Sequence, residues 1–280
     1  MPENKLDTML KETLKETPDK NALMSSSHSF NPLSMSNQTV LVTGASAGIG
    51  RATCIVLSKL GAKLILNGRS EESLAQTLAL LDGNEHIVAT FDMQKTDELS
   101  AWVAQLAKSH GPIKGFVHCA GIQVTKSVRA FDQAFFDQTM QTNLASALAI
   151  AKGFRIKRDK SVQGSIVLVS SIAGLIGQPG NVVYGASKAA MIGATRGLAM
   201  ELLRDNVRVN CVAPALVETQ MAEKTRNSMT PAQFQHIIDQ HPMGIGEPED
   251  VANAIAFLLS DSARWINAVC LPVEGGYLAN

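Results

Sequence analysis

A chain of 280 residues is longer than the commonest domain size but accommodates one large α/β domain with a tail. Its 25 basic and 25 acidic residues cancel, which excludes a global field that would recruit nucleic acid or an anionic membrane and leaves a small substrate gripped by local groups. No window nears the ~18 continuous apolar residues of a membrane span. The scattered cysteines Cys54, Cys119, Cys211 and Cys270 show neither C-x-x-C nor Cys/His zinc spacing, so buried reduced thiols are expected and a metal site is not.

Residues 1–36 read as a polar N-terminal extension, either disordered or carrying a short helix, because Leu6, Met9, Leu10 and Leu14 fall on one helical face. Lys5, Asp7, Lys11, Glu12, Lys15 and Glu16 interrupt any apolar run, unlike a signal peptide, and the cytoplasm is the expected location. Residues 37–280 read as one domain. Strands are predicted at 39–43, 63–67, 86–91, 115–118, 165–170, 208–212 and 268–271, and helices at 48–60, 71–80, 96–109, 132–152, 182–203 and 248–260. Continuous apolar strands such as Ile166, Val167, Leu168 and Val169 imply a parallel sheet covered on both faces, hence a doubly wound α/β fold.

Directly after the first strand stands Thr43-Gly44-Ala45-Ser46-Ala47-Gly48-Ile49-Gly50, running into a helix. Glycines allow a tight turn and close backbone approach, and the helix N-terminus favours an anion, so a dinucleotide pyrophosphate is expected against Gly44, Ser46, Ala47, Gly48, Ile49 and Gly50. The second strand ends Leu66-Asn67-Gly68-Arg69. A carboxylate there would hold ribose hydroxyls and repel a 2'-phosphate; its absence, with Arg69 able to clamp a phosphate, favours NADP(H), NAD(H) being the alternative if Arg69 only opens the next helix's solvated face. Asp92 follows the third strand and is placed to meet the adenine edge, or simply to form a turn.

Tyr184 and Lys188 are four residues apart in a predicted helix and therefore share a face, where the ammonium is expected to favour the phenolate and tune it for proton transfer. Ser171 stands at the carboxyl end of the fifth strand, ready to hydrogen-bond a substrate oxygen; Ser170 is the alternative, though it belongs to the strand itself.

The motifs Thr43 to Gly50, His118 to Gly121, Asn143, Ser171, Tyr184 with Lys188, and Pro214 to Thr219 resemble, in order, those of the short-chain dehydrogenase/reductase family, from about Gln38 to the C-terminus. The resemblance is nearest to 3-oxoacyl-acyl carrier protein reductases. It implies a single Rossmann-type domain with a seven-stranded parallel sheet and a catalytic tetrad of Asn143, Ser171, Tyr184 and Lys188. In that scheme Tyr184 carries the proton, Ser171 positions the carbonyl, Lys188 holds the nicotinamide ribose, and Asn143 anchors a proton-relaying water. Ala120, Gly121, Pro214, Val217 and Thr219 would contact the cofactor, and residues 220–242 would form a mobile lid. The implied activity is hydride transfer between NADP(H) and a carbonyl or secondary alcohol by a homotetramer or dimer. The alternatives are an NAD-dependent alcohol, polyol or sugar dehydrogenase and a non-catalytic dinucleotide-binding regulator. Three positions depart from the pattern: His118-Cys119 replaces two asparagines, Ala215 a glycine, and Ala47 a basic residue common in NADP-dependent members.

Overall fold

A computed structural model describes residues 31–156, 159–227 and 229–279; the greater part of the polar extension, with its Leu6, Met9, Leu10 and Leu14 stripe, lies outside them. The body from Leu33 onward carries seven strands: β1 (Thr39–Thr43), β2 (Lys63–Leu66), β3 (Ile87–Val88), β4 (Ile113–His118), β5 (Gly164–Val169), β6 (Val207–Pro214) and β7 (Cys270–Val273). They form one sheet in the order β3-β2-β1-β4-β5-β6-β7, and every pairing is parallel.

Side chains alternate across a strand, so each strand feeds two cores. Leu41, Phe116, Ile166, Leu168 and Val209 point to one face, where they meet α3 (Thr96–His110), α5 (Ser146–Phe154) and α6 (Val182–Glu201) through Leu99, Val103, Ile150, Phe154 and Met191. Val40, Val42, Leu64, Val117, Val167 and Val212 point to the other. They meet α1 (Gly48–Lys59), α2 (Glu71–Leu78) and α9 (Pro248–Leu259) through Leu57, Leu74, Val251 and Ile255. Full burial of such a side chain stabilises by roughly 1.5–3 kcal/mol, so the middle of the sheet is the rigid platform and the loops at its carboxyl edge are free to carry chemistry. The chain leaves β1 toward β2 and β3, then returns to lay β4 on β1's other side. That reversal opens a crevice at the carboxyl ends of β1 and β4, the usual ligand position in such sheets.

Four expectations shift, each for a physical reason. The third strand shrinks from 86–91 to Ile87–Val88: its sole neighbour β2 ends at Leu66, and beyond it only single backbone bonds continue, Ala89 N–H to Leu66 O at 2.9 Å and Phe91 N–H to Gly68 O at 3.2 Å. The last strand starts at Cys270 rather than 268 because Ala268 adopts φ +63°, which breaks extended backbone. The predicted helix 132–152 is three pieces: α4 (Gln133–Met140), capped by Asp132 accepting from Phe135 N–H at 2.7 Å, a π turn over Gln141–Ala145, and α5. The segment 220–242 holds two helices, α7 (Gln220–Asn227) and α8 (Pro231–Asp239), the second started by Thr230 and Pro231 in a capping box. Its Phe234 is buried under the Arg226 guanidinium, 4.7 Å from the ring centre.

Candidate active site

The turn after β1 is built for close approach. Gly44 and Gly48 have φ +65° and +51°, where a Cβ is strained. A Cβ on Gly44 would lie 2.8 Å from Ala120 N, and one on Gly50 would lie 2.1 Å from Gly44 O. The start of α1 is thereby pressed onto the exits of β1 and β4. A Cβ on Gly48 would meet Thr219 Cγ2 at 3.1 Å, so the segment after β6 reaches over the same turn. Ala47 is the N-cap of α1 and supplies no side-chain acceptor, nor does the first turn contain an acid. Those amides and the positive end of the helix dipole suit a pyrophosphate. The Ile49 side chain packs on the apolar layer beneath.

Gly68 brings the end of β2 beside the turn, its position for a Cβ being 3.5 Å from Ser46 Cβ. Asn67 is buried and turned toward the third strand, its Nδ2 donating to Ala89 O at 3.0 Å and Phe91 O at 3.3 Å. Its Oδ1 is a buried acceptor without a partner among the described residues. Arg69 is exposed at the rim. Asp92 Oδ1 accepts from Gln94 N–H at 3.0 Å, the turn role weighed from the sequence. Arg51 was missed by sequence reading: its Nη2 donates to Ser46 O at 2.6 Å and its Nε to Thr77 Oγ1 at 3.0 Å. The available signal was a cation in the first turn of a helix, where the dipole disfavours it unless an anion stands nearby.

Across the crevice Ser171, Tyr184, Lys188 and Asn143 converge. Ser170 and Ser171 separate cleanly: Ser170 Oγ is buried and donates to Lys188 O at 2.8 Å, while Ser171 Oγ accepts from Ala173 N–H at 3.1 Å and donates to Pro214 O at 3.5 Å. Lys188 Nζ donates to Val169 O at 2.8 Å and lies 5.7 Å from the Tyr184 ring centre. Burial lowers the Lys188 pKa to about 8. Burial also pushes the Tyr184 phenol up to about 12, against a smaller lowering by the nearby Ser171 hydroxyl. That direction is opposite to the one expected from an ammonium four residues away, because desolvation of the phenolate outweighs a cation held on a backbone carbonyl.

Asn143 is fully buried in the π turn. Its Oδ1 accepts from Ile122 N–H at 2.8 Å, and its Nδ2 donates to Ile122 O and Ser187 Oγ, both at 3.0 Å. Ser187 Oγ in turn donates to Tyr184 O at 2.7 Å. Gly121 passes close by, a Cβ there falling 3.3 Å from Asn143 Oδ1 and 3.5 Å from Lys188 Nζ. Ala120 N–H donates to Thr43 Oγ1 at 3.2 Å. On the far side Pro214 ends β6, Val217 is buried and bridges to Gly246, and Thr219 Oγ1 accepts from Ala222 N–H at 3.3 Å to start α7. Close approaches thus link the glycine turn to Thr219, Gly121 to Lys188, and Ser171 to Pro214 along one edge of the sheet.

A family profile described as enoyl-(acyl carrier protein) reductase matches residues 44–278. The 3-oxoacyl-acyl-carrier-protein reductase of Chlamydia trachomatis is 32% identical over 244 residues, covering 86% of this chain and 97% of that protein. The L-xylulose reductase of Caenorhabditis elegans is 35% identical over 248 residues, covering 87% and 97%. Among solved structures, a protein from Agrobacterium tumefaciens described as a candidate 2-deoxy-D-gluconate 3-dehydrogenase with bound NADP superimposes with a TM-score of 0.81 at 28% identity, over 90% of this chain and all of that one.

Proposed function

Because the chain belongs to the short-chain dehydrogenase/reductase family, we propose that it is an NADP(H)-dependent ketone reductase with Tyr184 as its proton donor and a 3-oxoacyl thioester as its leading substrate class. The family's members are oxidoreductases that act on CH–OH or carbonyl carbon with NAD(P), and this chain is one of them. The observation that carries the finer reading is the buried Tyr184 with the Lys188 ammonium 5.7 Å from its ring centre, one helical turn on, and that ammonium 3.5 Å from where a Cβ on Gly121 would lie.

The uncapped start of α1 and the glycine contacts a Cβ would block fit a dinucleotide. Gly44, Ser46, Ala47, Gly48 and Gly50 would hold its pyrophosphate, Arg69 with Arg51 its 2'-phosphate, and Asp92 its adenine. Ala120, Gly121 and Lys188 would hold the nicotinamide ribose, and Pro214, Val217 and Thr219 the nicotinamide end. When bound, the dinucleotide supplies or accepts the hydride. The rest is done by this chain's own groups. A phenol with a pKa near 12 is protonated at neutral pH and donates to a developing alkoxide, while Ser171 Oγ–H bonds the same oxygen as charge gathers there. Asn143 and Ser187 hold the Tyr184–Lys188 turn at fixed distance from β4, and Ser170 fixes the helix backbone at Lys188. Arg69 and the NADP-bound structural relative support NADP(H) over NAD(H).

A sugar or polyol substrate is the second reading, supported by 35% identity to L-xylulose reductase. Turnover of NADPH and NADH against a panel of 3-oxoacyl thioesters, sugars and simple ketones separates the two, and absence of turnover with every substrate would favour a non-catalytic regulator. In Tyr184→Phe the ring stays and the proton goes. The expected fall in kcat is about 10²- to 10⁴-fold, and an unchanged rate would remove the phenol's role.

Among the described residues no helix is long and apolar enough to cross a membrane; a cytoplasmic location remains part of the proposal. Leu148 on α5 and Met200 on α6 expose their apolar side chains, in keeping with a homotetramer or dimer. Light scattering at micromolar concentration tests this, a monomer being the refuting result.

A further inference from the structure

His118 ends β4 in place of the expected asparagine, is fully buried, and touches both halves of the site. Its Nδ1 lies 3.1 Å from Thr43 Oγ1, and its Nε2 lies 3.2 Å from Ser146 Oγ. The hydrogens sort themselves. Ser146 Oγ–H is committed to Thr142 O at 2.7 Å, so Ser146 accepts from His118 Nε2–H. Nδ1 is then the acceptor and takes the Thr43 hydroxyl proton, leaving Thr43 Oγ1 to accept from Ala120 N–H at 3.2 Å. Burial, helped by the Lys188 charge, lowers the ring's pKa to about 3, so it keeps one donor and one acceptor throughout the working range.

We propose that His118 is a positioning residue that ties two functions to one rigid ring: its Nδ1 sets Thr43 at the mouth of the phosphate turn, and its Nε2–H sets, through Ser146 and Thr142 O, the π turn that presents Asn143. The Thr43 arm leads to Gly44, whose backbone approaches Ala120 within a distance no Cβ permits. The Ser146 arm leads through Asn143 and Ser187 to the backbone of Tyr184. Phenylalanine or leucine would fill the space and leave Ser146 Oγ and Thr43 Oγ1 without their shared partner. Asparagine reaches only as far as Nδ1, and glutamine only as far as Nε2.

The inference rests on the reading of Tyr184 as proton donor, and its test keeps the two apart by measuring cofactor affinity independently of turnover. In the full chain, NADPH dissociation constants by fluorescence titration and kcat on a turned-over ketone are compared for His118→Asn, His118→Gln, His118→Leu and Ser146→Ala. His118→Asn keeps an acceptor for Thr43 and loses the donor to Ser146, so kcat falls by about tenfold or more while NADPH affinity falls less. His118→Gln does the reverse, weakening NADPH by about tenfold with a smaller fall in kcat. Ser146→Ala reproduces the His118→Asn profile, and the double variant is no worse than either. Should His118→Leu fail to fold, the amide variants and Ser146→Ala still decide. Parallel falls in kcat and affinity across both amide variants, or soluble variants changed in neither, overturn the proposal. A Tyr184→Phe protein that retains its rate would sink the phenol assignment while leaving the NADPH affinities interpretable.

Discussion

Replacing Lys188 by Met removes a charge from the most desolvated cation in the site and fills nearly the same volume. Burial lowers the Lys188 pKa from 10.5 to about 8, and at about 1.4 kcal/mol per tenfold change in the proton equilibrium this is roughly 3 kcal/mol against the folded state whenever both folded and unfolded lysines are protonated. Loss of the ammonium donor to Val169 O returns about 1 kcal/mol of that. Lys188→Met is therefore expected to be catalytically dead yet more stable than the parent at pH 7 by about 2 kcal/mol, or roughly 4–8 °C in Tm.

The advantage has a defined pH window. Below pH 8 the full penalty is present. Between about 8 and 10.5 the folded parent has shed a proton that its unfolded chain keeps, so the parent's stability rises with pH and the gap to Lys188→Met closes; above 10.5 both states are neutral, and the parent is ahead by the roughly 1 kcal/mol of its hydrogen bond to Val169 O. Tyr184, raised to about 12, adds an opposite slope above pH 10, since the unfolded phenol ionises first, but both proteins carry it and it cancels in the difference. Urea unfolding of the pair at pH 7, 8, 9 and 10 reads that difference. A constant gap across the series would refute a buried, proton-shedding lysine, whatever its sign.

The two serines should part company: Ser171→Ala loses about 10²-fold or more in kcat with little change in Tm, whereas Ser170→Ala, which frees the carbonyl of Lys188, costs about 1–2 kcal/mol by thermal unfolding and less in rate. Equal kinetic losses in both would mean that the hydroxyls are misassigned. Gly50→Ala drives a Cβ to 2.1 Å from Gly44 O, so cofactor binding is expected to fall by at least about a hundredfold in a fluorescence titration, and wild-type affinity would disprove the cradle. Arg69→Asp is expected to weaken NADPH more than tenfold while leaving NADH within about threefold, measured as kcat/KM; an equal loss for both coenzymes would transfer the 2'-phosphate to Arg51.

The sheet and its crevice were legible because they rest on two loud signals. Uninterrupted runs such as Ile166 to Val169 demand cover on both faces, and glycines between a strand and a helix demand close backbone approach. Ser170 and Ser171 both lie just past the end of β5, and their side chains part there, Ser170 Oγ onto Lys188 O and Ser171 Oγ onto Ala173 N–H and Pro214 O. Arg69 and Arg51 show the limit of local reading. Arg69 stands where a coenzyme rule applies, but Arg51 becomes meaningful only once α1 folds its side chain back onto Ser46 O and Thr77.

What stayed hidden is whatever depends on how one element is inserted or buried against another. A π turn adds one residue to the helical ladder without changing composition, so the 3.6-residue pattern over 132–152 runs through it and Asn143 looks like any polar helical residue. Yet that extra residue is what rotates Asn143 inward, onto Ile122 and Ser187. The Tyr184 and Lys188 pair carries the same lesson in energetic form. Spacing along a helix establishes that a phenol and an ammonium are neighbours, and from neighbours alone the phenol should acidify. Burial penalises both charged forms, lowering the lysine to about 8 and raising the tyrosine to about 12, which leaves a neutral acid beside a cation at physiological pH. The direction of each shift is therefore decided by burial more than by the spacing of the motif.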